Sequence, residues 1–123
     1  MVNHVEKAEK LFLSGCNCSQ SVFAAFDDIV GMSREKMLDL ASGFGGGMAG
    51  MRDTCGTVCG MFMVIGAVYG NYDVRDTAAK SAYYKELQQL TSRFHEKCGS
   101  TNCRELLGLV KGINPPPSER SEE

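Results

Sequence analysis

The sequence lacks an excess of charge of either sign. Thirteen Lys and Arg stand against fifteen Asp and Glu, for a formal net charge of -2. The basic residues are dispersed among acids rather than gathered into a stripe, which excludes the electrostatic footprint of a nucleic-acid partner. It also lacks a long apolar run. The most apolar stretch, Cys55 to Gly70, carries four glycines and falls short of the roughly 20 residues needed to cross a bilayer. No membrane span is expected, and a buried central helix is the better reading. The first ten residues are charged and contain no long apolar segment, so they do not read as a signal peptide, and a cytoplasmic location is expected. Strand-like alternation and internal repeats are both missing. Proline occurs only as Pro115-Pro116-Pro117, in a tail of extended or disordered character.

What is present is helical periodicity in a chain long enough for one hydrophobic core. Val5, Ala8, Leu11 and Phe12 predict a helix over Val2 to Leu13, with Gly15 as its stop. Val22, Phe23, Ala25, Phe26, Ile29 and Val30 predict one continuous helix, begun at Cys18 or Ser19 and ended by Gly31. Ser33 should cap a third helix with Met37, Leu38 and Ala41 on its buried stripe. The run Gly43-Phe44-Gly45-Gly46-Gly47-Met48 is too rich in glycine to propagate a helix cheaply and reads as a tight loop. Asp53 or Thr54 should cap the apolar helix from Cys55 to about Tyr69. Gly56, Gly60 and Gly66 within it imply close approach by a neighbouring backbone or a bound group. Asp73 and Asp76 introduce the longest helix, with Ala79, Tyr83, Leu87, Leu90, Phe94 and Cys98 in a stripe and Gly99 at its end. Ser100 should cap a last helix reaching about Leu109. The expectation is an all-α compact bundle of about five to six helices, with the glycine-rich loop preceding the central helix. Residues 1–112 form one domain and 113–123 a Pro- and Glu-rich tail.

Six cysteines without an export signal move the balance from structural disulfides toward metal ligation or redox chemistry. Buried thiols as ordinary core residues remain the plain alternative. Cys18, Cys55 and Cys103 fall near expected helix N-termini, where unpaired N–H groups and the dipole favour a thiolate, which is both nucleophile and metal ligand. Cys16 and Cys18 form a C-x-C pair, Cys55 and Cys59 stand one turn apart, and Cys98 and Cys103 bracket a turn. Cys98 also continues an apolar stripe. No spacing matches the C-x2-C knuckles of a zinc ribbon or a ferredoxin run, and no C-x-x-C-H haem attachment is present. His4 and His95 read as solvated surface groups, as do Asp27-Asp28. Met48, Met51, Met61 and Met63 read as adaptable core filler. The glycine-rich loop lacks the Gly-Lys-Ser/Thr ending of a P-loop, so a packing role is favoured over a phosphate cradle.

Asn17-Cys18-Ser19-Gln20-Ser21-Val22, the glycine-rich run 43–48, Cys55-Gly56-Thr57-Val58-Cys59-Gly60 and Gly99-Ser100-Thr101-Asn102-Cys103-Arg104-Glu105-Leu106-Leu107-Gly108 together resemble the C_GCAxxG_C_C family of redox-active proteins. The resemblance spans most of the chain. It implies a small helical protein with family cysteines at Cys18, Cys55 and Cys103 acting in redox or metal chemistry. Through relatives joined to cytochrome-like modules, the resemblance also implies an iron–sulfur centre as one candidate group. Thr57 and Cys59 depart from the usual alanine and small or hydroxyl residue, and Cys16 and Cys98 are additions. A further C-terminal cysteine of the family is absent, which leaves two readings: a shortened chain lacking one ligand or resolving thiol, or a chain in which Cys98, Cys59 or Cys16 takes that role.

The leading expectation is therefore that Cys18, Cys55 and Cys103 converge beside the glycine-rich loop. With Cys16, Cys59 or Cys98 they would carry out dithiol–disulfide exchange or ligate an iron–sulfur cluster. Gly45, Gly46, Gly47 and Gly56 are the positions where backbone would approach a bound group. The alternative is a structural zinc domain, or an interaction module in which the cysteines only fill the fold. A redox partner protein of unknown identity and a homodimer are the expected associations.

Overall fold

The computed structural model describes residues 3–108, and within them the chain forms seven α-helices. Helix α1 (His4–Leu13) is capped by Asn3, whose side chain accepts from the Glu6 N–H. Gly15 follows with φ +114°, as the stop requires. Helix α2 (Cys18–Ala24) opens with a capping box: the Asn17 side chain accepts from Gln20 N–H while the Gln20 side chain accepts from Asn17 N–H, so two orphan donors are satisfied reciprocally.

One continuous second helix was expected here. The chain instead breaks at Ala25-Phe26 and resumes as α3 (Asp27–Val30), closed by the left-handed Gly31. No glycine or proline marks the break, and tertiary contacts account for it. Phe26 stacks on the His4 ring with centroids 4.4 Å apart, and His4 Nε2 lies 3.0 Å from Asp28 Oδ1. Lys7 Nζ donates to Asp27 Oδ1 at 2.6 Å, and Arg34 Nη2 lies 3.2 Å from Asp27 Oδ2. His4 and Asp27-Asp28 are thus not merely solvated, because they tie α3 to α1 and to Arg34.

The Lys7 hydrogen bond holds the Asp27 carboxyl below its ordinary value despite partial desolvation. A carboxyl depressed in the folded state contributes stability above its unfolded pKa, and that contribution is lost as pH falls through the folded one. Asp27→Asn should therefore cost about 0.5–1 kcal/mol at neutral pH and almost nothing near about pH 2. Urea unfolding at the two pH values checks this, and a gap that persists in acid would contradict it.

Helix α4 (Arg34–Ala41) begins at the expected cap, Ser33, which accepts from Lys36 N–H, and it buries Met37 and Ala41. These two side chains form the core with Phe23 and Ala24 of α2, and Leu11, Val30, Met32, Leu38, Met63 and Val64 pack around it. A 3-10 turn at Ser42–Phe44 leads into the glycine-rich loop. Five consecutive residues there, Gly46 to Gly50, have φ between +53° and +73°.

Helix α5 (Gly56–Tyr69) takes Cys55 as its N-cap, rather than Asp53 or Thr54. Those residues are committed elsewhere, since Thr54 forms an isolated antiparallel bridge with Asn102. Burial in α5 is concentrated in its first turns at Gly56, Val58 and Gly60, and Tyr69 at its far end is exposed. Helix α6 (Thr77–Cys98) is capped by Asp76 and ended by the left-handed Gly99. Ala79, Tyr83, Leu87, Leu90 and Phe94 of its expected stripe are half-buried, whereas Cys98 is exposed. Helix α7 (Cys103–Leu106) is capped by Asn102, not Ser100. The Ser100 hydroxyl instead accepts from Asn102 N–H and donates to Glu105 Oε1.

No helix among the described residues is long and apolar enough to cross a membrane. The expected start at Val2, the last turn to Leu109 and the tail 113–123 lie outside the described residues.

Candidate functional site

The site is assembled where α2, α5, α7 and the glycine-rich loop meet. Two short hydrogen bonds fasten it. Cys55 N–H donates to Thr101 O at 2.8 Å and Cys103 N–H donates to Asp53 O at 2.6 Å. These bonds flank the Thr54–Asn102 bridge, which is the pattern of a two-residue antiparallel ribbon. Directly opposed residues share a face and successive ones alternate. Cys55 and Cys103 therefore lie on one side of the ribbon, with Thr54 and Asn102 on the other. Both cysteines are buried, at 7% and 3% exposure.

The two thiols line one hollow of about 340 Å³, which Cys98 also lines and which Phe94, Leu106 and Leu107 close with apolar walls. Cys18 is not among its lining residues. Cys18, 4% exposed, lies on the far side of Thr57, in a second hollow of about 280 Å³ with Phe12 and Val22. Thr57 lines both. The three family positions thus surround the start of α5 without opening into one space.

Cys59 stands one turn beyond Cys55 on α5, half-buried. Burial pushes its thiol pKa up, and the neighbouring Cys55 adds to the shift, so it stays protonated. Cys16 is half-buried just before α2, and its N–H donates to Leu11 O. His95 is exposed on α6. No disulfide joins any of the six cysteines.

An iron–sulfur cluster or structural zinc requires three or four thiolates directed at one point. Among the described residues, no group of three or more His, Cys, Asp or Glu side chains could hold a metal ion. As arranged, these residues do not fit either group, and the expected ligand set Cys16, Cys18, Cys55, Cys59, Cys98 and Cys103 is not gathered.

The glycines have a different explanation from cofactor approach. A Cβ on Gly47 would lie 2.6 Å from Cys103 Cβ and 2.5 Å from Asp53 N, and one on Gly46 would lie 3.0 Å from Gly50 Cα. At Gly45 it would strike the Asn17 side chain, and at Gly56 it would reach Cys18 Cβ at 3.0 Å and Ser19 N at 3.2 Å. The room these residues leave is filled by the chain itself. Gly60 similarly admits Ser19 O and Val22 of α2, the close backbone approach expected of α5. The Asn-Cys-Ser-Gln segment completes this packing. Ser19 Oγ donates to Ala41 O at 2.7 Å, Asn17 Nδ2 to Ser42 O and Gln20 Nε2 to Leu38 O, which pins α2 to the end of α4.

One residue of the site was not read from the sequence. Arg52, 1% exposed, directs Nη1 at Cys103 Sγ over 3.7 Å. Its backbone has φ +61°, its N–H donates to Gly46 O, and its carbonyl accepts from Arg104 N–H. A buried guanidinium is thereby held against a buried sulfur by the loop and by α7 together. The available signal was its isolation, for Arg52 is the sole basic residue between Lys36 and Arg75. Met51, by contrast, is 59% exposed and is not core filler.

The family model described as "Putative redox-active protein (C_GCAxxG_C_C)" matches residues 16–123. No curated protein and no solved structure matches the chain.

Proposed function

The chain belongs to the C_GCAxxG_C_C family of redox-active proteins, and from that premise we propose that it works by reversible dithiol–disulfide exchange between Cys55 and Cys103. The observation that carries this reading is the ribbon at Thr54–Asn102, which turns both buried thiols into one hollow. Diagonal neighbours on such a ribbon have Cα atoms about 7–8 Å apart, and a disulfide needs about 4.4–6.8 Å. Closure by roughly 1 Å suffices to join them.

Cys103 is the attacking sulfur. Arg52 supplies a donor and a positive charge at that atom, which stabilise the thiolate that exchange requires. Oxidation removes two electrons and two protons from the pair and delivers them to a disulfide oxidant, which leaves as two thiols. Reduction reverses this. Cys59, held protonated one turn away, is not the nucleophile. Cys18 packs α2 against α5 and acts through that packing.

Thiol counting before and after equilibration with glutathione disulfide tests the proposal. Two thiols should be lost reversibly in the wild type and in Cys16→Ser and Cys59→Ser, with the fold retained. In Cys103→Ser, which lacks the attacking sulfur, no internal disulfide should form. Loss of two thiols to an internal bond in that variant would overturn the assignment.

A further inference from the structure

Cys55 and Cys103 pose a problem of access, because at 7% and 3% exposure neither can meet a sulfur carried on another protein. Exchange passes through a mixed disulfide with the attacking thiolate in line with the bond it breaks, and that geometry demands an exposed sulfur. Cys98 alone among the thiols lining the hollow is exposed. It ends α6 at the left-handed Gly99, five residues before Cys103, so it faces solvent and the hollow at once. We propose that Cys98 is a relay thiol that exchanges with a disulfide on a partner protein and passes the oxidation inward to the Cys55–Cys103 pair. This rests on the proposed function of that pair.

The steps balance. The Cys98 thiolate attacks the partner's disulfide, forming a mixed disulfide and releasing the first partner thiolate. The Cys103 thiolate attacks Cys98 Sγ, the bond to the partner breaks, and the second partner thiolate leaves. Cys55 then attacks Cys103 Sγ, which frees Cys98 as a thiolate and leaves the Cys55–Cys103 disulfide. Two electrons and two protons have moved from the inner pair to the partner, and Cys98 is regenerated. The wall beside these inner steps is apolar, formed by Phe94, Leu106 and Leu107.

The experiment compares a small oxidant with a bulky one on the full chain. Diamide enters the hollow. Serum albumin carrying thionitrobenzoate on its surface thiol does not, and presents its disulfide only to exposed sulfur. In the wild type both reagents should produce the Cys55–Cys103 disulfide. Cys98→Ser should respond normally to diamide but at least about tenfold more slowly to the albumin reagent. Cys55→Ser should accumulate the intermediate Cys98–Cys103 bond. Reaction of Cys98→Ser with the albumin reagent at the wild-type rate would overturn the relay while leaving the inner pair standing. Failure of the wild type to form the Cys55–Cys103 disulfide even with diamide would overturn the pair itself, and the relay with it.

Discussion

Gly47→Ala is expected to destabilise the protein by about 2–5 kcal/mol, the sum of about 1–2 kcal/mol for a left-handed alanine and about 1–3 kcal/mol for overpacking. Gly47 has φ +73°, and its missing Cβ leaves the space that Cys103 Cβ, Arg52 Cα and Asp53 N occupy at 2.5–2.6 Å. Two of those three atoms are backbone, so no rotamer change can yield. A domain of this size has about 5–15 kcal/mol of total stability. The substitution therefore removes a large share of that stability, or pushes the Arg52–Cys103 segment out of place. Gly43→Ala is the control, since a Cβ there meets nothing within 4 Å and needs no unusual backbone. It should fall within about 0.5 kcal/mol of wild type. Urea midpoints for the two variants check this, and a Gly47→Ala midpoint close to that of Gly43→Ala would contradict the packing described.

Arg52→Met should lower the alkylation rate of Cys103 by about 10–100-fold near neutral pH, while Arg52→Lys restores part of it. A hydrogen bond to a charged group contributes about 1.5–3 kcal/mol, and each 1.36 kcal/mol corresponds to a factor of ten. Methionine matches much of the arginine stem in volume and carries no charge, so the comparison isolates the guanidinium rather than the space it fills. Iodoacetamide is small enough for a hollow of about 340 Å³. Peptide mass analysis reads Cys103 separately from exposed Cys98, and circular dichroism verifies the fold of each variant. Unchanged Cys103 reactivity in Arg52→Met would show that the guanidinium does not activate this sulfur.

The helical architecture was legible wherever termination is a local property. Ser33, Asp76, Gly31 and Gly99 stop or start helices where their side chains and backbone angles dictate, because caps depend on residues within one turn. The features that escaped are tertiary. The break at Ala25-Phe26 follows from contacts with His4, Lys7 and Arg34, which no local signal encodes. Asp53 and Thr54 are good caps by composition, yet the ribbon with Asn102 claims that segment and moves the helix start to Gly56.

The site divides in the same way. Placement of Cys18, Cys55 and Cys103 at helix starts followed from the pattern around them, and each is there. Which thiols share a space did not follow, because a spacing along the chain does not say on which side of Thr57 a sulfur falls. Arg52 was hidden for a related reason. A single arginine after a glycine run reads as a solvated loop charge, and only the left-handed course of Gly46 to Gly50, with the Arg104 hydrogen bond, turns it inward.

The central claim is that Cys55 and Cys103 are the exchanging pair. Its most direct test is to equilibrate the protein in glutathione buffers from reducing to oxidising, quench with acid, and map cross-linked peptides by mass spectrometry. The account predicts a single internal disulfide, Cys55–Cys103, whose fraction rises with the oxidising poise in a two-electron titration and falls again on reduction. A dominant bond joining Cys16 to Cys18 or Cys18 to Cys55, or no internal bond across the whole range, would contradict it.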